Sequence, residues 1–512
     1  MAMRKRCVTG AAVLSVAVAT VMPAALAEPL QLRGHGVAPQ AKPQRRAGGE
    51  SFPPLPLPVT PLRRTEKKRQ PAPPALIAKV AYGPVNFSIR DGKRVGRRDW
   101  LNVTDDVRNL LRWTGRQLGF RYRSFQTDFD KLSYDPAEIP VLYLTGHEPL
   151  PELSDEVAGR LRQFLYDGGT IVANACCGAP EFTASFRRLM GSLFPHRRLG
   201  PLPADHPIFS NFYRIDRVRF HKGTGEDRDG PPYLEALNIG CRAAVLFAPY
   251  DLANGWFGQD PPGNYEAGRW IVGDDARRLG GNIVTYVLAC YPYGRMRALQ
   301  PVLHEQGEPT RDELVVGQIV HDGDWDPTPG GLAGLLRALR DNSTLHTQFK
   351  RAELHLADRN IFSYPVLYLT GLREFRLRDG EVEQLRTYLT SGGVLVAESA
   401  CGMTSFDASL RRELARVLPD MPLTALKPDH PLHSAALDVT RVSYTPLVQQ
   451  EHPGVDRPML EGIEIDGVLR VIYSRYGLSC GWERLEYPYD RGYAERDALR
   501  LGVNILVYAM TH

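Results

Sequence analysis

Along most of this chain, short unbroken apolar runs alternate with longer stretches whose apolar residues recur at helical spacing. Val141-Leu142-Tyr143-Leu144 is such a run and closes on Thr145-Gly146, the pattern of a strand buried on both faces. Ser154 then stands before Val157, Leu161, Phe164 and Leu165, which predicts an N-capped helix with one apolar stripe. Gly168-Gly169 supplies a left-handed helix stop, and Ile171-Val172-Ala173 is the next strand. Residues 182–189 read as a helix, 244–248 as a third strand and 277–289 as a closing helix. Short apolar strands alternating with amphipathic helices predict a mostly parallel sheet covered on both faces.

The whole pattern occurs twice. Pro140-Val141-Leu142-Tyr143-Leu144-Thr145-Gly146 returns as Pro365-Val366-Leu367-Tyr368-Leu369-Thr370-Gly371. Asp99-Trp100 returns as Asp324-Trp325, Cys177-Gly178 as Cys401-Gly402, and Asp205-His206-Pro207 as Asp429-His430-Pro431. Arg187-Arg188 matches Arg411-Arg412, Tyr250 and Trp256 match Tyr476 and Trp482, and Asn282 matches Asn504. The offset stays between 222 and 226 residues throughout, so one supersecondary plan has been duplicated. The expected fold class is α/β, as two tandem three-layer α/β/α domains of flavodoxin-like character over residues 76–295 and 313–512, joined by a linker at 296–312.

The first 75 residues differ in kind. Arg4-Lys5-Arg6, an apolar stretch from Val8 to Met22 and Ala25-Leu26-Ala27 read as a signal peptide over 1–27, placing the mature protein in the periplasm or outside the cell. Cys7 precedes the apolar stretch, the wrong place for a lipoprotein cysteine. Residues 28–75 are rich in Pro, Arg and Lys and read as a disordered tether, with a basic arm for anionic polymers as the alternative. The formal charge of +5 is therefore misleading. The leader contributes +3 and residues 28–75 contribute +6, leaving the folded part at −4. A nucleic-acid surface there is not favoured, and no later segment is long and apolar enough to span a bilayer.

The Tyr-Leu-Thr-Gly strand and the Gly-Gly turn leading into Ala175-Cys176-Cys177-Gly178 carry a resemblance, together with Asp-His-Pro. So do Tyr250-Asp251-Leu252 through Trp256, and Arg278-Leu279-Gly280-Gly281-Asn282 with Tyr286. In the second copy the corresponding stretches are residues 476–483 and Arg500-Leu501-Gly502-Val503-Asn504 with Tyr508. These motifs resemble a bacterial family known only as domain of unknown function 4159. The resemblance implies a fold similar to the class I glutamine amidotransferase-like α/β domain and no particular reaction. Both copies depart from the family pattern. Asn174 stands where copy 2 has Glu398, Asp251 where it has Gly477, and Asn254 where it has Cys480.

Residues that follow strands in an open parallel sheet gather at its carboxyl edge, where ligands bind. Asp99, Trp100, Gly146, Asp251 and Trp256 of copy 1 are the expected crevice residues, with Trp325, Gly371, Glu398 and Trp482 of copy 2. Cys177 and Cys401 each stand at a strand-to-helix turn, where a thiol can act as nucleophile beside helix amides. The repeated histidines His206 and His430 are the candidate bases, though Asp-His-Pro also suits a turn. An exported chain permits disulfides, and Cys401–Cys480 is one candidate pair. Asp322-Gly323-Asp324-Trp325-Asp326 lacks the later Gly and Glu of a calcium loop and reads better as a helix start with Pro327 at its first turn. No Walker glycine loop and no structural-zinc spacing occur, so neither cofactor nor metal is expected. Two readings remain. The favoured one is a non-catalytic scaffold that binds an envelope protein or polymer; the alternative is a thiol-dependent hydrolase or amidotransferase-like enzyme using Cys177 or Cys401.

Overall fold

The computed structural model describes residues 72–91, 93–223, 225–259, 268–299, 314–342, 352–485 and 487–512. The leader expected over 1–27, the tether as far as residue 71 and the linker from residue 300 onward lie outside the described residues. In copy 1 the main-sheet strands are β1 (Ala75–Ala81), β2 (Arg123–Asp128), β3 (Val141–Gly146), β4 (Thr170–Ala175), β5 (Gly200–Pro201), β6 (Glu235–Ile239) and β7 (Arg242–Ala248). In copy 2 they are β8 (Gly317–Ile319), β9 (Ala352–Leu354), β10 (Val366–Gly371), β11 (Val394–Ser399), β12 (Thr424–Ala425), β13 (Leu460–Ile465) and β14 (Val468–Ser474). The spatial orders are β2-β1-β3-β4-β7-β6-β5 and β9-β8-β10-β11-β14-β13-β12, one topology used twice. The first five strands of each sheet pair in parallel, and the last two join as antiparallel edges. The strand order reverses at β1/β3 and at β8/β10, the switch points of doubly wound sheets.

The helices of copy 1 are α1 (Asp106–Leu118), α2 (Asp155–Tyr166), α3 (Pro180–Leu193), α4 (Ala253–Phe257) and α5 (Gly273–Leu299). Those of copy 2 are α6 (Gly331–Asn342), α7 (Asp379–Thr390), α8 (Thr404–Val417), α9 (Pro446–Glu451), α10 (Ser479–Trp482) and α11 (Glu495–Thr511). Helix α6 starts at Gly331, so Asp326-Pro327 does not open it. Instead the Asp324 carboxylate pairs with Arg373 at 2.8 Å. Ser154 caps α2 as expected, its hydroxyl accepting from the Val157 amide, and Gly168 closes the helix at φ 98°.

Strand alternation assigns the layers. Val141 and Tyr143 face the core under α1 and α5, whereas Leu142 and Leu144 face the core under α2 and α3. Val366 and Tyr368 against Leu367 and Leu369 repeat this division in copy 2. Several duplicated polar residues turn out to hold the frame. Arg187 on α3 reaches Glu235 on the antiparallel strand β6, and Arg411 on α8 reaches Glu461 on β13. Asn282 is fully buried on α5; it accepts from the Tyr213 amide at 2.8 Å and donates to the Ile208 and Tyr213 carbonyls. Asn504 on α11 does the same for the segment at 436–437.

Outside the main sheets the copies differ, and copy 1 alone carries a small antiparallel sheet of Val218–Lys222, Arg228–Gly230 and Arg269–Ile271 among the described residues. Copy 1 inserts an antiparallel hairpin, Val85–Arg90 with Lys93–Arg98, between β1 and Asp99. Copy 1 also covers part of the carboxyl edge of copy 2. Tyr286 of α5 meets the Tyr487 hydroxyl at 2.5 Å and stacks on Tyr489. Thr404 donates to Asp205, and Arg373 donates to the Ala236 carbonyl. Cys241, in the turn between β6 and β7, is bonded to Cys401, so the pairing expected between Cys401 and Cys480 is not the one formed. The physical reason is the docking itself, which brings the β6–β7 turn to the buried Cys401; Cys480 lies 3.7 Å from Cys401 and 2.8 Å from Cys241.

Two outcomes test this frame. Asn282→Ala strands one amide and two carbonyls in the core and is expected to cost roughly 2–4 kcal/mol, read as a lowered melting temperature. A protease site placed between residues 300 and 313 is expected to give halves that migrate together on a non-reducing gel and separate after reduction. Cys241→Ser abolishes that behaviour.

Candidate functional site

Strand β4 runs into a single tight turn, Cys176–Gly178, before α3 begins. Cys177 sits there at φ 54°, ψ 16°, a left-handed conformation that a side chain occupies at a cost. Gly178 follows at φ 70°, and a Cβ on it would lie 2.7 Å from the Arg269 carbonyl oxygen, so only glycine fits. Cys401 and Gly402 repeat the turn at φ 53° and 62°. This strand, left-handed residue and helix sequence places the cysteine at the carboxyl edge of the sheet, where both Cys177 and Cys401 are buried.

His147, the first residue after β3, meets Cys177 at that edge. The His147, Cys176 and Cys177 ligand atoms all lie within 4.8 Å of one another. Asp99 orients the histidine: its carboxylate is 3.5 Å from His147 Nδ1 and accepts the backbone amides of His147 and Glu148. The Asn102 amide joins them, donating to Asp99 at 2.9 Å and lying 2.8 Å from His147 Nδ1. Gly146 explains the close approach, because a Cβ there would run into the Asp99 carboxylate and the Tyr82 hydroxyl. Tyr82 donates to the Thr145 carbonyl at 2.7 Å, and burial pushes its phenol well up, so it remains protonated.

The electrostatics favour an ion pair. The hydrogen bond from Cys176 lowers the Cys177 thiol, burial opposes it, and His147 lowers it further, to about 6. Burial works against protonating His147, but hydrogen bonds to Asp99 and Cys177 outweigh it and raise the ring to about 9. Both shifts act in the direction of thiolate over thiol and of imidazolium over imidazole. Burial also opposes ionisation of Asp99, yet its bonds to His147 and to two amides hold it below the usual carboxylate range. Cys176 is pushed well up, first through its bond to Cys177, and stays a thiol.

Asp251 and Glu398 do a different job from the one expected. Neither is exposed to solvent. Asp251 accepts from Asn174 at 2.8 Å and from the Ala253 amide, while Asn174 accepts the Leu252 amide. In copy 2 Glu398 alone accepts the Leu478 and Ser479 amides, the Tyr368 hydroxyl and the Thr370 hydroxyl. Each copy thus keeps a buried carboxylate at the start of α4 or α10, supplied by the loop after β7 in copy 1 and by β11 in copy 2. That exchange accounts for the Asn174/Glu398 and Asp251/Gly477 differences without a ligand.

Other expected site residues are also structural. Trp256 and Trp482 are core residues whose indole N–H groups donate to the Ala276 and Ala498 carbonyls. Trp100 is buried, and a Cβ on Gly371 would strike the Gly323 carbonyl oxygen. His206 and His430 cap the turns that follow them, accepting the Ile208 and Leu432 amides through Nδ1. Burial, aided by Arg373 and Arg491, holds His206 at about 3, so it is neutral. The histidine at Cys177 is therefore His147. Trp325 does line a cleft, of about 450 Å³, at the β8/β10 switch point together with His321 and Asp324.

Copy 2 lacks the polar cluster. Leu372 replaces His147, and Cys401 is bonded to Cys241. Cys480 replaces Asn254, whose amide lies 3.9 Å from Cys177 Sγ in copy 1. Two sets of sulfur-rich groups could hold a soft metal by proximity, His147 with Cys176 and Cys177, and Cys241 with Cys401 and Cys480. In the second set the disulfide occupies two of the three sulfurs. Sequence reading missed His147 because it occurs in one copy only. The signal present was that very contrast, His against Leu directly after an otherwise identical heptapeptide.

Among the described residues, no helix is long and apolar enough to cross a membrane. Comparison with curated proteins finds no match. The family model for a domain of unknown function, DUF4159, matches residues 77–288 and again residues 315–510, most of the chain. The chain therefore belongs to the DUF4159 family and carries its domain twice.

Proposed function

We propose that copy 1 is a thiol-dependent acyl-transfer or hydrolytic centre and that copy 2 is its structural partner. The observation that carries this reading is the convergence of Cys177, His147 and Asp99 at the β1/β3/β4 edge, with Cys177 held in a left-handed elbow. Cys177 attacks a substrate carbonyl, His147 carries the proton between the thiol and the leaving group, and Asp99 fixes the ring. The amide of Gly178, directly after the nucleophile, is the natural donor to the developing oxyanion. Leu372 and the engaged Cys401 leave copy 2 without either reactive group.

The fold kinship implied by the motifs, to class I glutamine amidotransferase-like domains, supports the same reading. Those domains also place a cysteine at a strand-to-helix elbow, although glycines flank it there and Cys176 precedes it here. With the leader expected over residues 1–27, we place this chemistry in the bacterial envelope. Copy 2 suits the scaffolding part of the role, since it docks on copy 1 and keeps the cleft at Trp325 for a protein or polymer.

An alkylating thiol probe followed by peptide mapping tests the proposal. Cys177 is expected to label in preference to Cys176, with a rate that rises as pH climbs through about 6, the value at which its thiolate forms. His147→Ala removes a contact that favours the thiolate and is expected to slow labelling at neutral pH by about tenfold. Labelling of Cys177 with an ordinary thiol profile, unchanged in His147→Ala, would rule the reading out.

A further inference from the structure

The folded part of the chain is net acidic, yet one groove in it is lined by five arginines. Arg108, Arg112, Arg116, Arg121 and Arg123 surround a cavity of about 620 Å³ between α1 and the start of β2. No described carboxylate lines it. The first three arginines stand four residues apart on α1, so their side chains share one face at steps of about 6 Å. All five are exposed. Gly115 lets the Phe120 carbonyl close in on α1, since a Cβ there would lie 2.6 Å from its oxygen, and Gly119, beside open space, ends α1 in the left-handed conformation at φ 72°. Phe120 and Tyr122, packed edge to face at 5.2 Å, and the buried Leu111 make up the apolar part of its wall.

Ordinary structural duties account for only part of this charge. One basic residue in the last turn suffices to offset the α1 dipole, and Arg116 provides it. Arg108 pairs with exposed Asp105, and Arg123 Nε donates to the Pro73 carbonyl. Like charges at four-residue spacing on a helix repel one another, so the stripe costs stability unless something anionic sits on it. Guanidinium forks match phosphate oxygens two at a time, which makes arginine rather than lysine the residue suited to such a ligand.

We propose that this groove binds phosphate groups, at least two of them, carried on one molecule or on one surface. It is separate from the thiol centre: α1 and β2 supply it, and neither Cys177 nor His147 lines it. Two sources share this chemistry, a soluble oligophosphate and the headgroups of an anionic membrane.

The test uses the full chain and the variant Arg112→Gln/Arg116→Gln/Arg121→Gln, with Arg188→Gln on α3, in the other helical layer, as control. Tripolyphosphate is titrated calorimetrically at low and at raised salt. Phosphatidylcholine vesicles with and without phosphatidylglycerol are used for co-sedimentation. The expected result is binding in at least one arm that weakens with salt, drops tenfold or more in the triple variant and is unchanged in Arg188→Gln. A response to tripolyphosphate alone assigns a soluble ligand, and a response to phosphatidylglycerol vesicles alone assigns headgroups. Equal binding by wild type and a folded triple variant in both arms, or no binding in either, overturns the proposal.

Discussion

Everything at the carboxyl edge depends on one backbone constraint. A parallel strand has to end, reverse and enter a helix within four residues, and both copies do so with a cysteine in the left-handed region. A non-glycine residue there costs on the order of 1 kcal/mol. The surrounding structure over-determines it: Gly178 and Gly402 admit the backbones of Arg269 and Arg491, and the Cys401 carbonyl accepts the Arg491 amide. The same constraint dictates where the sulfur goes, and the neighbouring strands dictate what it meets.

What it meets differs between the copies, and the difference has a physical cause. In copy 1 the rim is lined by polar groups from β3 and from the segment at Asp99. The thiol therefore sits beside a histidine whose ring is held by a carboxylate. In copy 2 the rim has become an interface. Helix α5 and the β6–β7 turn of copy 1 lie against it, and the sulfur is taken up by Cys241. A buried rim cannot keep an unpaired histidine or carboxylate cheaply. Leu372 and Cys480 suit that burial, and Asp490, a carboxylate buried near Cys401, is pushed well up by desolvation.

The internal carboxylate shows how duplicated domains drift while preserving a function of the frame. Amides at the start of α4 and of α10 point into the sheet end and require an acceptor there. Copy 1 supplies it from Asp251 with help from Asn174, and copy 2 from Glu398 on the adjacent strand. Position by position the two solutions look like loss of a motif. In space they are one carboxylate satisfying one set of donors.

The periodicities of the chain were enough to establish the duplicated α/β plan, the strands at Val141–Gly146 and Val366–Gly371, the cap at Ser154 and the stop at Gly168, because these depend on local spacing and on glycine's backbone freedom. The motif at Cys177 also marked the elbow correctly as a position after a strand. Local pattern could not say which histidine approaches that sulfur. His206 and His430 recur in both copies because they cap turns, whereas His147 occurs once and is brought to Cys177 only by the parallel pairing of β3 with β4. Nor could it separate Trp256, Trp482, Asp251 and Glu398 from the rim, since burial is decided by what packs over a residue rather than by the residue itself. The partner of Cys401, 160 residues away in the other copy, was likewise settled only when the two domains docked.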